Sequence, residues 1–307
     1  MSGSGAVEVW RGGVQAWECD EMGHLNVRFH LARAMQGLAG AAAALGMPHA
    51  YAAHAPASLV VRHHHIRFLR EARAGAALVM TATVVEIDET EATLALVMTH
   101  ALSGETAATF TTRVAHVAAR DGRPFPWPAR ARAAAERLRS PLPAAAAPRS
   151  LSEPITDRPT AVQADALGLA PIGRSVVGPE DTDVFGRMRT EQFIGRISDG
   201  IAIAIDPLRR EAQAAAGEGV RVGGAALEYR LTYFDHPRAG DHVVVRSGLS
   251  EVGPRVSRLR HWVIDPVSGL AWGAADHISM SFDLDARRMV VLPDAAVERL
   301  RQTVRTV

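Results

Sequence analysis

The sequence predicts an α+β protein made of two copies of one domain, each a curved antiparallel β-sheet wrapped around a long central helix. Three observations predict it. The chain repeats itself in register: residues 20–37 read DEMGHLNVRFHLARAMQG and residues 183–200 read DVFGRMRTEQFIGRISDG, so Asp20, Gly23, Arg33 and Gly37 match Asp183, Gly186, Arg196 and Gly200. The tripeptide RAG at 73–75 returns at 238–240, Ser103-Gly104 returns as Ser268-Gly269, and AAAERLR ending at Arg139 returns as AAVERLR ending at Arg301. The period far exceeds the roughly 20–50 residues of a solenoid unit, so this is domain duplication. Each copy also reads as a strand, a long apolar helix and four strands joined by short turns, and hairpin-connected strands pair antiparallel. Finally, the helix is apolar over so wide an arc that most of its sides must be covered.

Copy one opens with an extended stretch, Val7 to Trp17, and a loop, Glu18 to His24. From about Asn26 to Leu45 apolar residues (Val27, Leu31, Ala34, Leu38, Ala41, Leu45) recur at three and four, the helical period, with Gly46 as the stop and Pro48 just beyond. Strand-like runs follow at 58–69, 76–87, 92–99 and 106–118, and a helix near 129–139. Copy two repeats the order. It has an extended stretch at 174–179, a helix opening at Thr190 as a plausible N-cap, strands at 225–234, 242–250, 256–264 and 271–282, and a terminal helix from about Asp294. Gly37 and Gly200 would let sheet backbone or a partner helix approach the central helices. The expected domains are 1–140 and 171–307, with 141–170, rich in Pro and Ala, as an extended and poorly packed linker.

Composition excludes several classes. Net charge is +1, with arginines scattered among acids and no basic tract, so nucleic acid is not the expected partner. No apolar run reaches about 18 residues, and the N-terminus lacks the apolar core of a signal peptide, so a cytoplasmic protein with no membrane partner is the expectation. Cys19 is the single cysteine, which precludes an internal disulfide. His63, His64 and His65 have no carboxylate or cysteine at ligand spacing, so neither a metal nor any other cofactor is expected.

The loop before the first helix, Asp20-Glu-Met-Gly23-His24-Leu-Asn26, resembles the D-x-x-G-H-(M/V)-N signature of acyl-CoA thioesterases of the hotdog superfamily. It is similar to the 4-hydroxybenzoyl-CoA thioesterase pattern and to the D-x-N-x-H-V-N of plant-type acyl carrier protein thioesterases, with Met22 where the latter place an asparagine. The resemblance spans both copies and implies a double hotdog, one chain standing for the usual hotdog dimer. It implies hydrolysis of an acyl-CoA or acyl carrier protein thioester, with a homodimer of double-hotdog chains as a further possibility.

The resemblance makes Asp20 the general base or nucleophile, assisted by His24 and Asn26, with oxyanion donors near Val27 and Arg28 at the helix N-terminus. Each has a structural alternative: Asp20 or Asn26 as a plain helix cap, His24 as a surface loop residue. Gly23, Val27, Arg28, Asp183, Arg187, Arg189 and Glu191 are the expected substrate-lining residues. Copy two replaces His24 and Asn26 with Arg187 and Arg189, two cations suited to an anion such as a CoA phosphate or an acyl carboxylate. Glu191 either serves a shared site or merely complements the helix dipole. A hotdog hydratase is disfavoured because no Y-x-x-x-x-G-D-x-N-P-x-H string occurs; a non-catalytic acyl-CoA-binding or scaffold protein stays open.

Overall fold

The computed structural model describes residues 5–305. The chain divides into two compact units: Met1–Pro148 with Glu180–Ile194, and Arg149–Pro179 with Gly195–Val307. The segment Glu180–Ile194 holds the second copy's loop and the first turn of its helix, and it groups with the first unit.

In the first unit, β1 (Val7–Gly13), β2 (Ala57–Phe68), β3 (Ala77–Ile87), β4 (Glu91–His100) and β5 (Thr106–Ala118) pair in the order β1-β3-β4-β5-β2, all antiparallel. Helix α1 (Val27–Ala44) packs across β1, β3 and β4. Leu31, Ala34, Leu38, Ala41 and Ala42, the three-and-four stripe, are buried. Helix α2 (Ala129–Arg137) closes the first copy. A shift in register between Val61 and His63 marks a bulge in β2, after which both His64 and His65 are buried. Beyond the bulge His63, His64 and His65 pair in unbroken register with Arg113, Thr112 and Thr111, so successive side chains alternate faces and His63 and His65 share one.

The second unit repeats this topology. β6 (Ala170–Val176), β7 (Val222–Tyr233), β8 (His242–Val252), β9 (Ser257–Ile264) and β10 (Ala271–Asp283) pair in the order β7-β10-β9-β8-β6, and the short β11 (Arg288–Met289) pairs with β10. β6 begins four residues before the extended stretch expected from sequence, because Leu169 and Ile172 bury their side chains. The segment between the copies is not the poorly packed linker that its composition suggests. It forms α3 (Ala161–Ala166), opened by a Thr160–Gln163 capping box, and Leu151 and Ala164 are buried. The Glu228 carboxylate accepts the amides of Arg149, Ser150 and Leu151 at 3.0, 3.0 and 3.3 Å, which pins this stretch to β7.

Helix α4 (Thr190–Ala216) runs nine residues longer than α1 and contains Pro207; α5 (Asp294–Arg301) ends the repeat. Beyond Pro207, Leu208 and Ala212 pack with Val252, Leu292, Val297 and Leu300, and this burial offsets the backbone hydrogen bond that proline removes. Gly200 sits where a Cβ would collide with the Ile172 carbonyl of β6. In α1 the same close approach, to the Val9 carbonyl of β1, is made by Gly40, one turn further on, while Gly37 faces the Met80 and Leu96 side chains. Both helices therefore use glycine against their first strand, at positions one turn apart. No helix among the described residues is long and apolar enough to cross a membrane.

Candidate active site

The repeated D-x-x-G is first of all a self-closing loop. Asp20 Oδ1 accepts the amides of Met22 and His24 at 2.9 and 3.0 Å, the Asp20 amide donates to the His24 carbonyl at 2.8 Å, and Gly23 takes φ 77° to make the turn. Asp183 does the same with Phe185 and Arg187 at 2.9 and 3.0 Å, around Gly186 at φ 74°. This geometry accounts for the shared Asp and Gly without catalysis. What separates the copies is the second carboxylate oxygen. Asp183 Oδ2 accepts from Arg187 Nε at 2.9 Å and pairs with its Nη2 at 2.8 Å, so both oxygens are engaged. Among the described residues Asp20 Oδ2 accepts no hydrogen bond.

The base of the first loop is fixed by Glu18, 1% exposed. Its carboxylate accepts the Gln15 amide at 2.9 Å and pairs with Arg33 of α1, and its carbonyl accepts the Asn26 amide at 2.9 Å. The repeated Arg33 is thus a bolt between loop and helix. Its counterpart Arg196 donates instead to Ser175 Oγ at 3.1 Å.

Asn26 is the N-cap of α1: its side chain accepts the Arg28 amide at 2.9 Å, and its carbonyl accepts the Phe29 and His30 amides. This alters the expected oxyanion hole. The Arg28 amide is already taken, and the Val27 amide is the one in the first turn with no acceptor among the described residues.

The acid beside the His24 ring is Glu71. The ring's Nε2 lies 3.1 Å from Glu71 Oε2 and 3.2 Å from Arg73 Nη2, in the segment just after β2 that pairs with the loop through His24 and Arg73. Sequence reading missed Glu71. Its one signal was position: it lies two residues before the repeated Arg73, and copy two carries His236 there.

Neither arginine of the second loop presents a loose charge. Arg187 is paired with Asp183 and its guanidinium lies 4.7 Å over the Phe185 ring; Arg189 donates to the Glu180 carbonyl at 2.7 Å and stands 3.4 Å from Glu191. Both cations that the sequence offers to a substrate anion thus already have partners within the chain. Thr190 is the first residue of α4 rather than its cap, and its buried hydroxyl has no partner among the described residues.

Glu191 is 6% exposed, and burial raises its pKa. Its own backbone amide, Arg189 and Arg28 oppose that rise, and Asp183 adds to it. The Tyr51 hydroxyl, also buried and without a partner among the described residues, is held protonated by burial beside the Arg187–Asp183 pair. Asp20, Arg28, Tyr51, Asp183 and Glu191 all belong to the first unit. No three His, Cys, Asp or Glu residues among those described gather as a metal site.

Comparison with known proteins agrees with this picture. Residues 14–135 match the family model of the thioesterase-like superfamily. No curated protein sequence matches the chain. Similar solved structures include one described as an oleoyl thioesterase from Lactobacillus plantarum (12% identity, TM-score 0.68, 95% of this chain and 99% of that one). The 12:0-ACP thioesterase from Umbellularia californica is another (10%, 0.67, 90% and 94%), as is an acyl-ACP thioesterase from Bacteroides thetaiotaomicron (10%, 0.63, 90% and 98%). The chain is a tandem hotdog protein whose first copy matches the thioesterase-like superfamily.

Proposed function

We propose that this chain is a thioester hydrolase whose working carboxylate is Asp20. One observation carries the reading: of two loops with the same internal hydrogen bonds, the first leaves a carboxylate oxygen open and the second closes it with Arg187. Asp20 Oδ1 is fixed by two backbone amides, which aims Oδ2 without a cost in rotamer freedom when substrate arrives. Oδ2 then removes a proton from water attacking the thioester carbonyl, or attacks it directly. The open Val27 amide, at the positive end of α1, meets the oxyanion as it forms. His24, oriented by Glu71, donates the proton that the departing thiolate needs. Two of the similar structures are named as acyl carrier protein thioesterases, which supports an acyl thioester as the substrate class.

A second reading gives the base role to Glu191. Its burial and raised pKa bring it nearer the neutral range where a general base is most effective. Free-thiol release across a panel of acyl-CoAs and acyl carrier proteins, using wild type, Asp20→Asn and Glu191→Gln, separates the two. Loss of a base costs about 10²–10⁴-fold in kcat. The Asp20 reading expects that loss in Asp20→Asn and a smaller one in Glu191→Gln; the reverse order moves the role to Glu191, and no thiol release from any substrate removes the hydrolase reading.

A further inference from the structure

Resting on the thioester reading, we infer that His30 determines specificity for the acyl group, and that the acyl group it selects carries a hydroxyl or keto oxygen close to the thioester carbonyl. His30 lies on the buried side of the first turn of α1 and is 5% exposed. It follows the open Val27 amide by three residues, so the two share a face of the helix. A helical side chain leans toward the N-terminus and covers the turn before its own Cα, which sets the imidazole beside the end of α1 that receives the oxyanion. The ring meets Phe68, the last residue of β2, edge-to-face, with centroids 5.2 Å apart at 68°. Three residues beyond Phe68 comes Glu71, the acid beside His24. A thiol carrier is large and polar and stays in solvent, which leaves the buried side of the thioester to the acyl group. The His30 Nδ1 is shut off from solvent and has no hydrogen-bond partner among the described residues. Burial, with His100 nearby, lowers the pKa of this ring to about 3, so it is neutral and offers one donor and one acceptor. A buried nitrogen left unpaired costs stability and adds nothing to packing.

The repeat supplies the second argument. At the spacing that aligns Asp20 with Asp183, His30 corresponds to Phe193, which is 2% exposed. Copy two fills the same helix position with a ring that has no polar atom. The fold therefore needs a buried ring there and does not need a nitrogen. The nitrogen stands in the copy whose aspartate has the open oxygen, where a substrate group can pair it. A hydroxyl donates to the unprotonated nitrogen of the imidazole; a keto oxygen accepts from the protonated one. Neighbours three apart on a helix stand about 5–6 Å apart at Cβ, so an oxygen held by His30 sits near the third carbon of the acyl chain and not at its far end.

The test uses the full chain and three thioesters of one carrier and one chain length: saturated, 3-hydroxy and 3-oxo. Wild type is expected to show kcat/KM at least about tenfold higher for one of the oxygenated substrates than for the saturated one. Preference for the hydroxyl identifies the accepting nitrogen, and preference for the ketone the donating one. His30→Phe, which installs the residue of copy two, should bring the ratio near one without lowering the thermal midpoint, because it removes an unpaired buried nitrogen. His30→Gln keeps hydrogen-bonding atoms and should retain part of the preference. No preference in wild type overturns the inference. So does a preference that survives His30→Phe, which would leave a bound water as the partner of His30. An equal loss on all three substrates with a lowered midpoint overturns it too, as a structural role would give. If wild type releases no thiol from any of them, the functional reading fails, and calorimetric titration with the matching thioethers decides the role of His30. Tighter binding of an oxygenated thioether, lost in His30→Phe, upholds that role; equal or absent binding overturns it.

Discussion

Glu71 and Arg33 show how much of this site depends on single side chains reaching across the chain. Glu71 holds His24 Nε2 at 3.1 Å, so Glu71→Gln turns a charge-assisted hydrogen bond into a neutral one, a loss of about 1–1.5 kcal/mol. The expected outcome is a fall in kcat of up to about tenfold with KM little changed, read from thiol-release kinetics. Arg33→Ala leaves the buried Glu18 carboxylate without its cation, and breaking such a pair costs about 3–5 kcal/mol; a lowered thermal midpoint checks it. The candidate residues Asp20, His24 and Asn26 were legible in the sequence because a short motif names them. Their jobs were not. Whether Asp20 keeps an oxygen open depends on the residue four positions on, His24 or Arg187, and the direction of the His24 ring depends on an acid 47 residues away, brought in by the end of β2.

At the scale of elements, apolar periodicity placed α1 and nearly all strands within a residue or three, because each buries one face and its pattern records that face. It failed where packing overrides pattern. Nothing local shows that α4 continues through Pro207, since what holds its last turns is a cluster contributed by β8, α5 and the segment before α5. Likewise the Pro- and Ala-rich segment after residue 140 gains its order from Glu228 and from Arg67, which donates to the carbonyls of Ala145 and Ala147 at 2.9 and 3.1 Å. The repeated Gly37 and Gly200 turn out to differ in use. Gly200→Ala forces a methyl against the rigid Ile172 carbonyl and should destabilise by at least about 1–3 kcal/mol. Gly40→Ala should do the same against Val9, whereas Gly37→Ala meets the flexible end of Met80 and should cost less. Urea midpoints of the three variants test that order.

Over the whole molecule, buried histidines set the pH range of stability. His30, His64 and His277 are held neutral by burial, their pKa values depressed from 6.5 to about 3, and His261 is depressed as well by burial and by His277. In the second unit Ser247 Oγ, His261 and His277 form a buried chain of hydrogen bonds, 2.7 Å and then 2.6 Å, that has room for only one proton between the rings. Groups with lowered folded-state pKa values bind fewer protons folded than unfolded below pH 6.5. Their stabilisation is therefore complete above that pH and declines as pH falls from about 6.5 toward 3, each histidine contributing up to about 1.4 kcal/mol per pH unit. Denaturant midpoints should drop over this window, and His277→Gln should make the drop shallower. The two-copy architecture was legible from the repeat alone, as was the exchange of His24 and Asn26 for Arg187 and Arg189; what that exchange does to the aspartate's second oxygen is written only in the hydrogen bonds. That difference is tested most directly by the rate of thiol release from one acyl thioester by Asp20→Asn and Asp183→Asn, each checked for unchanged folding. The open-oxygen account predicts a fall of about 10²–10⁴-fold in Asp20→Asn and a much smaller change in Asp183→Asn. Equal rates in the two variants, or a larger loss in Asp183→Asn, would contradict it.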